Sequence, residues 1–220
     1  MVSMLDKKKM IIEQIQRMSG EYSVYQLFDD WISMFALSTA QAVHYSEDRE
    51  KNYLQIAGKH TKERLEQFCE LNGILIDAFE NEMADILGYI YMHLELGSSR
   101  TGQFFTPYHI CQLMAKMAFE SHDKNGVYIC NEPSCGGGGN IIAFAEELRN
   151  QGVDYQIKMK AVCQDIDIRA VYMTYVQCSY YGIPAIVFQS DTLKDPLGRE
   201  SSTGRLYTPQ YIMNQTAGRW

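Results

Sequence analysis

The residues best placed to do chemistry are Asn131-Glu132-Pro133-Ser134-Cys135-Gly136-Gly137-Gly138-Gly139-Asn140. They follow a short apolar run, Val127-Tyr128-Ile129-Cys130, and precede an apolar-periodic run that opens at Ile141. Strand, acidic residue, glycine loop and helix, in that order, describe a turn that holds a nucleotide or cofactor at the carboxyl end of a parallel strand. Four successive glycines let the backbone approach a ligand closely, because no Cβ intervenes and positive φ is open to them. The unpaired N–H groups of the following helix would face the same ligand and favour a carboxylate or a phosphate.

Three ligand classes use such a loop. A mononucleotide P-loop needs Gly-Lys-Ser/Thr to hold phosphates and magnesium, whereas Gly138-Gly139-Asn140-Ile141 supplies neither lysine nor hydroxyl. A dinucleotide fingerprint needs a third glycine for close helix packing; counted from Gly136, that position holds Ile141. The third class is S-adenosylmethionine, whose methionine moiety sits against the glycines while an acid ending the second strand holds its ribose. Asp165 is placed for the ribose, with Asp167 close behind it, and Asp191 could accept a hydrogen bond from an adenine amino group.

The elements that position these residues follow from periodicity. Residues 6 to about 95 read as helical throughout. Ser23-x-x-Gln26 is a capping box, behind which Tyr25, Phe28, Ile32 and Phe35 recur at helical spacing, with Val24, Leu27, Trp31 and Met34 on a neighbouring face. A helix apolar on two sides is buried between others, so the aromatic stripe reads as core rather than as a base-stacking platform. Asp48 to Glu70 is a charged surface stretch of one or two helices, and Leu71 to Leu96 resumes the apolar period until Gly97-Ser98-Ser99 ends it. Thr106-Pro107 then reads as an N-cap and first helical residue, opening a helix that runs to about Glu120.

Beyond that helix, strands are expected at Val127 to Cys130, Gln156 to Cys163 and Ala185 to Phe188, separated by helices from about Ile141 to Asn150 and from Ile168 to Tyr181. Such alternation predicts a parallel sheet with helices on both faces. The domain expectation is a helical region over residues 1–97 and an α/β ligand-binding domain over 98–220.

Bulk properties narrow the setting. With 220 residues and 46% hydrophobic content the chain has ample material for a core. No apolar run reaches the roughly 18 residues that cross a bilayer. Lys7-Lys8-Lys9 is followed by no signal-peptide core, so a cytoplasmic location and no membrane partner are expected. The six cysteines contain no Cys-x-x-Cys pair, and the five histidines do not cluster with them, which suggests reduced, mostly buried thiols and no metal site. The net charge of -7 argues against a stand-alone nucleic-acid binder, since such binders neutralise phosphates.

Four segments carry a resemblance. Gly102-Gln103-Phe104-Phe105-Thr106-Pro107 resembles the G-x-F/Y-T-P segment of the N6-adenine DNA methyltransferase family, in particular the modification subunits of type I restriction systems. Glu132-Pro133-Ser134-Cys135-Gly136-Gly137-Gly138-Gly139 is similar to that family's D-P-x-C-G-S-G-G, with Glu for Asp and Gly137 for Ser. Cys163-Gln164-Asp165 resembles its G-Q-E, and Ser190-Asp191-Thr192-Leu193 its G-D-T-L. The resemblance covers about residues 100 to 193 and implies a Rossmann-like S-adenosylmethionine-dependent methyltransferase sheet. It also implies cofactor contacts. Phe105, Thr106 and Pro107 would line the methionine end, and Glu132, Pro133, Cys135, Gly136 and Gly138 the amino-acid portion. Asp165 would hold the ribose and Asp191 the adenine, with Ile166 also among the cofactor contacts.

One family element is missing. The chemistry of that family rests on Asn/Asp-Pro-Pro-Tyr/Phe ending a fourth strand, where the polar group and a carbonyl hold a flipped adenine on which the aromatic stacks. No such tetrapeptide occurs, and Asn214, the nearest candidate by position, lacks both prolines and the aromatic. No catalytic residue is therefore assigned. The first strand is also expected to be a bare parallel edge, to be covered by residues 194 to 220 or by another chain. The expected function is an S-adenosylmethionine-binding protein of DNA modification, acting on DNA with a partner subunit and sharing that edge in a homo- or hetero-oligomer. The alternatives are an inactive regulatory or assembly module, or one half of a split methyltransferase.

Overall fold

The computed structural model describes residues 3–94, 96, 104–120, 126–196 and 204–220. The expected turn at Gly97-Ser98-Ser99 and the Gly102-Gln103 part of the first motif lie outside the described residues. The chain forms two compact units, one of Met1–Glu82 with Ile86–Phe104 and one of Met83–Asp85 with Phe105–Trp220. Among the described residues no helix is long and apolar enough to cross a membrane.

The first unit contains α1 (Met4–Met18), α2 (Val24–Val43), α3 (Glu47–Ala57), α4 (Lys62–Phe79) and α5 (Ile86–His93). Ser3, Ser23, Ser46 and Thr61 each accept a hydrogen bond from a backbone N–H of the first turn they precede, a cap worth about 1 kcal/mol apiece. α2 is covered on both apolar faces. Leu27, Phe28, Trp31, Ile32 and Phe35 are buried, and the Phe28 ring meets Trp31 and Tyr91 edge-on at 5.7 Å. The aromatic stripe is core, with Tyr25 left half-exposed at its end.

The second unit opens with α6 (Tyr108–Ala118), then β1 (Tyr128–Glu132), α7 (Gly139–Asn150), a single helical turn α8 (Tyr155–Lys158), β2 (Met159–Asp165), α9 (Ile168–Tyr180), β3 (Ala185–Gln189), β4 (Leu206–Tyr207) and α10 (Pro209–Thr216). The sheet order is β1-β2-β3-β4, with the first three strands parallel and β4 antiparallel to β3. Two right-handed crossovers in the same direction put α7 and α9 on one face. Side chains alternate accordingly. Met159, Ala161 and Cys163 are fully buried, whereas Lys160 between them lies under the rings of Trp220 and Tyr211, at 4.7 and 5.5 Å. The second face is thus covered by α10 and the chain end.

Three local expectations are corrected. The second strand begins at Met159, not Gln156, because Asp154 caps a helical turn by accepting from the Gln156 N–H at 3.1 Å. Thr106 is not the cap of α6. Pro107 holds that position with φ of -55° and ψ of 137°, and no side chain caps the helix. The same dipeptide at Thr208-Pro209 does behave as expected, with Thr208 capping α10 and Pro209 as its first residue. Thr208 also donates to Ile183 O at 2.8 Å and accepts from Ala185 N at 2.9 Å, stitching the C-terminal segment to β3. That segment therefore covers the β3 edge and not β1, which has a neighbour on one side only among the described residues.

Candidate functional site

Parallel pairing sets the carboxyl ends of three strands side by side, with Glu132 opposite Cys163 and Asp165 opposite Gln189. Hydrogen bonds lace these ends together. Cys135 N donates to Gln164 O at 2.9 Å and Ser190 N to Asp165 O at 2.9 Å. The Gln164 amide donates to the Thr192 hydroxyl, which donates in turn to Pro133 O. One ledge is formed from the ends of β1, β2 and β3, which is where open α/β sheets bind ligands.

The glycine loop sits on that ledge. Gly136 and Gly138 have φ of 53° and 95°, a left-handed region that costs an L-residue roughly 1–2 kcal/mol. Close approach excludes side chains as well. A Cβ on Gly136 would fall 2.9 Å from Cδ1 of Phe105, and one on Gly138 would fall 3.1 Å from Oγ1 of Thr174. α7 follows with Gly138 as its cap and no side-chain acceptor there, so the N–H groups of Gly139, Asn140 and Ile141 open the helix without a carbonyl behind them.

The sequence-selected residues fall around this loop. Phe105 lies on Gly136. Thr106 and Pro107 are exposed beside it, with the Cys111 thiol 3.6 Å from Thr106 O. Glu132 accepts from the Asn140 amide at 3.0 Å. Asp165 is 8% exposed and accepts at both oxygens, from Gly136 N at 2.9 Å and from Asp167 N at 2.9 Å. A carboxylate has about four lone-pair positions, so acceptor capacity remains on Asp165. Asp167 is committed elsewhere, capping α9 and holding Arg169 through contacts of 3.1 and 2.8 Å. Ile166 is 68% exposed at the lip of the ledge. Asp191 accepts from Leu193 N at 3.1 Å and pairs with Lys194 at 3.0 Å, and the Lys194 hydrogen bond holds its carboxyl below the usual range.

Two polar side chains are withdrawn from solvent. Cys135 is buried, and desolvation pushes its thiol well above the ordinary range. A thiol held in its neutral form is a poor nucleophile. Asn214 is also fully buried, donating to Gln156 O at 2.7 Å and accepting from Gln210 and Arg219 at 3.0 and 2.9 Å. It ties α10 to the start of α8 and is remote in role from the ledge.

Sequence reading missed three residues behind the loop. Thr174 donates to Gly136 O at 2.9 Å, and the Gln177 amide donates to Gly137 O at 2.6 Å and to Asp85 Oδ1 at 2.8 Å. The available signal was the spacing of Thr174 and Gln177, polar residues three apart on the otherwise apolar face of a helix that must be buried. Nothing local marks Asp85.

The fold and ledge define an α/β protein with a glycine loop at the carboxyl ends of its parallel strands. The sequence profile of the family N-6 DNA Methylase matches residues 78–213, and the chain belongs to that family. Among solved structures it is similar to the methyltransferase subunit of a type I restriction-modification system from Streptococcus thermophilus, at 13% identity and a TM-score of 0.47 over 91% of this chain and 60% of that one. It is also similar to a candidate class I S-adenosylmethionine-dependent methyltransferase from Listeria monocytogenes, at 14% identity and a TM-score of 0.47 over 96% of this chain and 70% of that one. The chain thus spans 60% of the length of the first of these. No curated protein matches it significantly.

Proposed function

We propose that the chain binds S-adenosylmethionine on the glycine ledge and serves DNA adenine modification together with a companion polypeptide. The observation that carries the cofactor reading is a buried Asn140 Oδ1 with no hydrogen-bond partner, next to the Glu132 carboxylate. Two acceptors, one of them charged, suit an ammonium group such as that of the methionine moiety. The N–H groups opening α7 suit the adjoining carboxylate. The spare lone pairs of Asp165 suit ribose hydroxyls, exposed Ile166 suits an adenine face, and Asp191 suits its amino group. Phe105, Thr106 and Pro107 flank the methionine end, with Pro133, Cys135, Gly136 and Gly138 shaping the floor. The bound cofactor would supply an electrophilic methyl group, while these residues bind and orient it.

Calorimetry with S-adenosylmethionine tests this directly. Binding in the micromolar to low-millimolar range, about -4 to -8 kcal/mol, is expected. Heat no different from buffer at several millimolar cofactor overturns the reading. With labelled cofactor and adenine-containing DNA, the chain alone is expected to transfer no methyl group, because its sequence has no Asn/Asp-Pro-Pro-aromatic segment.

A second observation favours a companion that completes the sheet. β1 offers an unpaired edge among the described residues, and Ile129 on it is 74% exposed. α6 is apolar on two sides. Cys111 and Ala115 pack on Ala143, while Ile110, Leu113, Met114 and Met117 form an exposed stripe in which Met117 is 78% exposed. A helix apolar on two sides is normally covered on both, and a bare apolar edge invites a strand. The occupant we favour is a companion polypeptide supplying a strand and the missing adenine-holding segment. Its binding to the double variant Leu113→Glu, Met117→Glu should weaken by about a hundredfold or more, given roughly 1.5–3 kcal/mol per apolar side chain buried. Equal binding of a folded double variant and the wild type would exclude this face.

A further inference from the structure

The glycine loop is held from behind by side chains that are not expected to touch the cofactor. Thr174 and Gln177 project from α9 with no exposure to solvent, and Asp85 is 8% exposed. Thr174 takes the carbonyl of Gly136 at 2.9 Å. Gln177 places both hydrogens of its amide, one on Gly137 O at 2.6 Å and one on Asp85 Oδ1 at 2.8 Å. The other Asp85 oxygen lies 3.2 Å from where a Gly139 Cβ would stand. A trans peptide points its C=O and N–H in opposite directions. Drawing the Gly136 carbonyl towards α9 therefore turns the Gly137 N–H away from it. Drawing the Gly137 carbonyl the same way holds the next peptide so that Gly138 N reaches Cys135 O at 2.8 Å.

We infer that Asp85, Gln177 and Thr174 form a positioning clamp that sets the glycine loop for cofactor, with Gln177 its central member. The inference rests on the cofactor reading proposed above and adds residues that reading does not contain. Chemistry explains the choice of side chains. Among uncharged side chains, only a primary amide presents two N–H donors in a fixed fork to two acceptors. The carboxylate of Asp85 makes one of those bonds charge-assisted, which strengthens and orients it. A leucine of similar length would leave a buried carboxylate and a buried carbonyl without that donor.

The test combines cofactor titration with amide hydrogen exchange on the cofactor-free protein. Gln177→Ala should raise the S-adenosylmethionine dissociation constant by about tenfold or more, and its Gly138 amide should exchange at least about tenfold faster, since the peptide it belongs to has lost its anchor. Asp85→Asn keeps an acceptor oxygen facing Gln177 and should stay within about threefold of wild type. In a cycle with Asp85→Ala, the double variant should be much less impaired than the product of the two single effects predicts. A role in packing alone would lower the melting temperature of Gln177→Ala while leaving affinity and Gly138 exchange of the folded protein at wild-type values, and that result overturns the clamp. Wild-type protein that binds no cofactor while Gln177→Ala still frees the Gly138 amide defeats the cofactor reading and leaves the clamp as a device of the loop. Unchanged exchange defeats the clamp in either case.

Discussion

Gly138→Ala is expected to abolish measurable cofactor binding and to lower the unfolding free energy by about 1–3 kcal/mol. Two costs coincide at this residue. Its φ of 95° and ψ of 8° lie where a side chain crowds its own backbone. The new methyl group would also meet Thr174 at 3.1 Å from Oγ1 and at 3.4 Å from Cα. The first is the tight contact, and that hydroxyl is itself bonded to Gly136 O at 2.9 Å, so it cannot turn aside without releasing the loop. Relief must come from the loop, whose Gly138 N–H is bonded to Cys135 O and whose Gly138 carbonyl accepts from Ile142 N at 3.0 Å. The start of α7 therefore shifts, and with it the N–H groups assigned to the cofactor carboxylate. Gly152→Ala supplies the comparison. Its φ is 75°, but nothing lies within 4 Å of a Cβ there. Stability should fall by about 1 kcal/mol through the dihedral alone, with cofactor affinity unchanged. Urea unfolding and calorimetry on both variants measure the difference. A Gly138→Ala protein that binds as the wild type does would remove the loop from the cofactor site.

Asp165→Ala should weaken cofactor binding by more than about tenfold and destabilise the fold by about 1–3 kcal/mol, the cost of leaving a buried donor without its acceptor. The carboxylate has two tasks. It accepts from Gly136 N and Asp167 N, so it joins the glycine loop to the turn before α9, and its spare lone pairs are the proposed ribose contact. Asp165→Asn retains one acceptor oxygen and should fall between alanine and wild type. Asp167→Asn separates the tasks. That side chain serves the α9 cap and the Arg169 pair, so the variant should lose stability while binding cofactor normally. If Asp165→Ala unfolds more readily but binds with undiminished affinity, Asp165 is a structural tie and the ribose is held elsewhere.

Much of the fold was legible because it is written in short-range patterns. The two-sided apolar period of α2, the Ser23 cap, the alternation of strands with helices and the glycine run each depend on residues a few positions apart. Local chemistry also misled. Thr106-Pro107 and Thr208-Pro209 are the same dipeptide, yet only the second caps a helix, since Thr208 is held by Ile183 and Ala185 of the β3 edge. The Gln156 to Lys158 stretch became a helical turn because Asp154 caps it, which apolar alternation does not register.

The site divides along the same line. By itself the sequence determined the glycine loop, the acids at the strand ends and the lack of an Asn/Asp-Pro-Pro-aromatic segment, since residue identity and spacing along one strand and its loop suffice for these. Tertiary structure alone decided that Asp165 reaches Gly136, that the C-terminal segment joins β3 and leaves β1 open among the described residues, and that Asp85 meets Gln177 from 92 positions away. The physical reason is range. A cap or an apolar stripe is fixed by the geometry of one element, whereas the partner of a buried amide is whatever group the packing of distant elements brings within 3 Å of it.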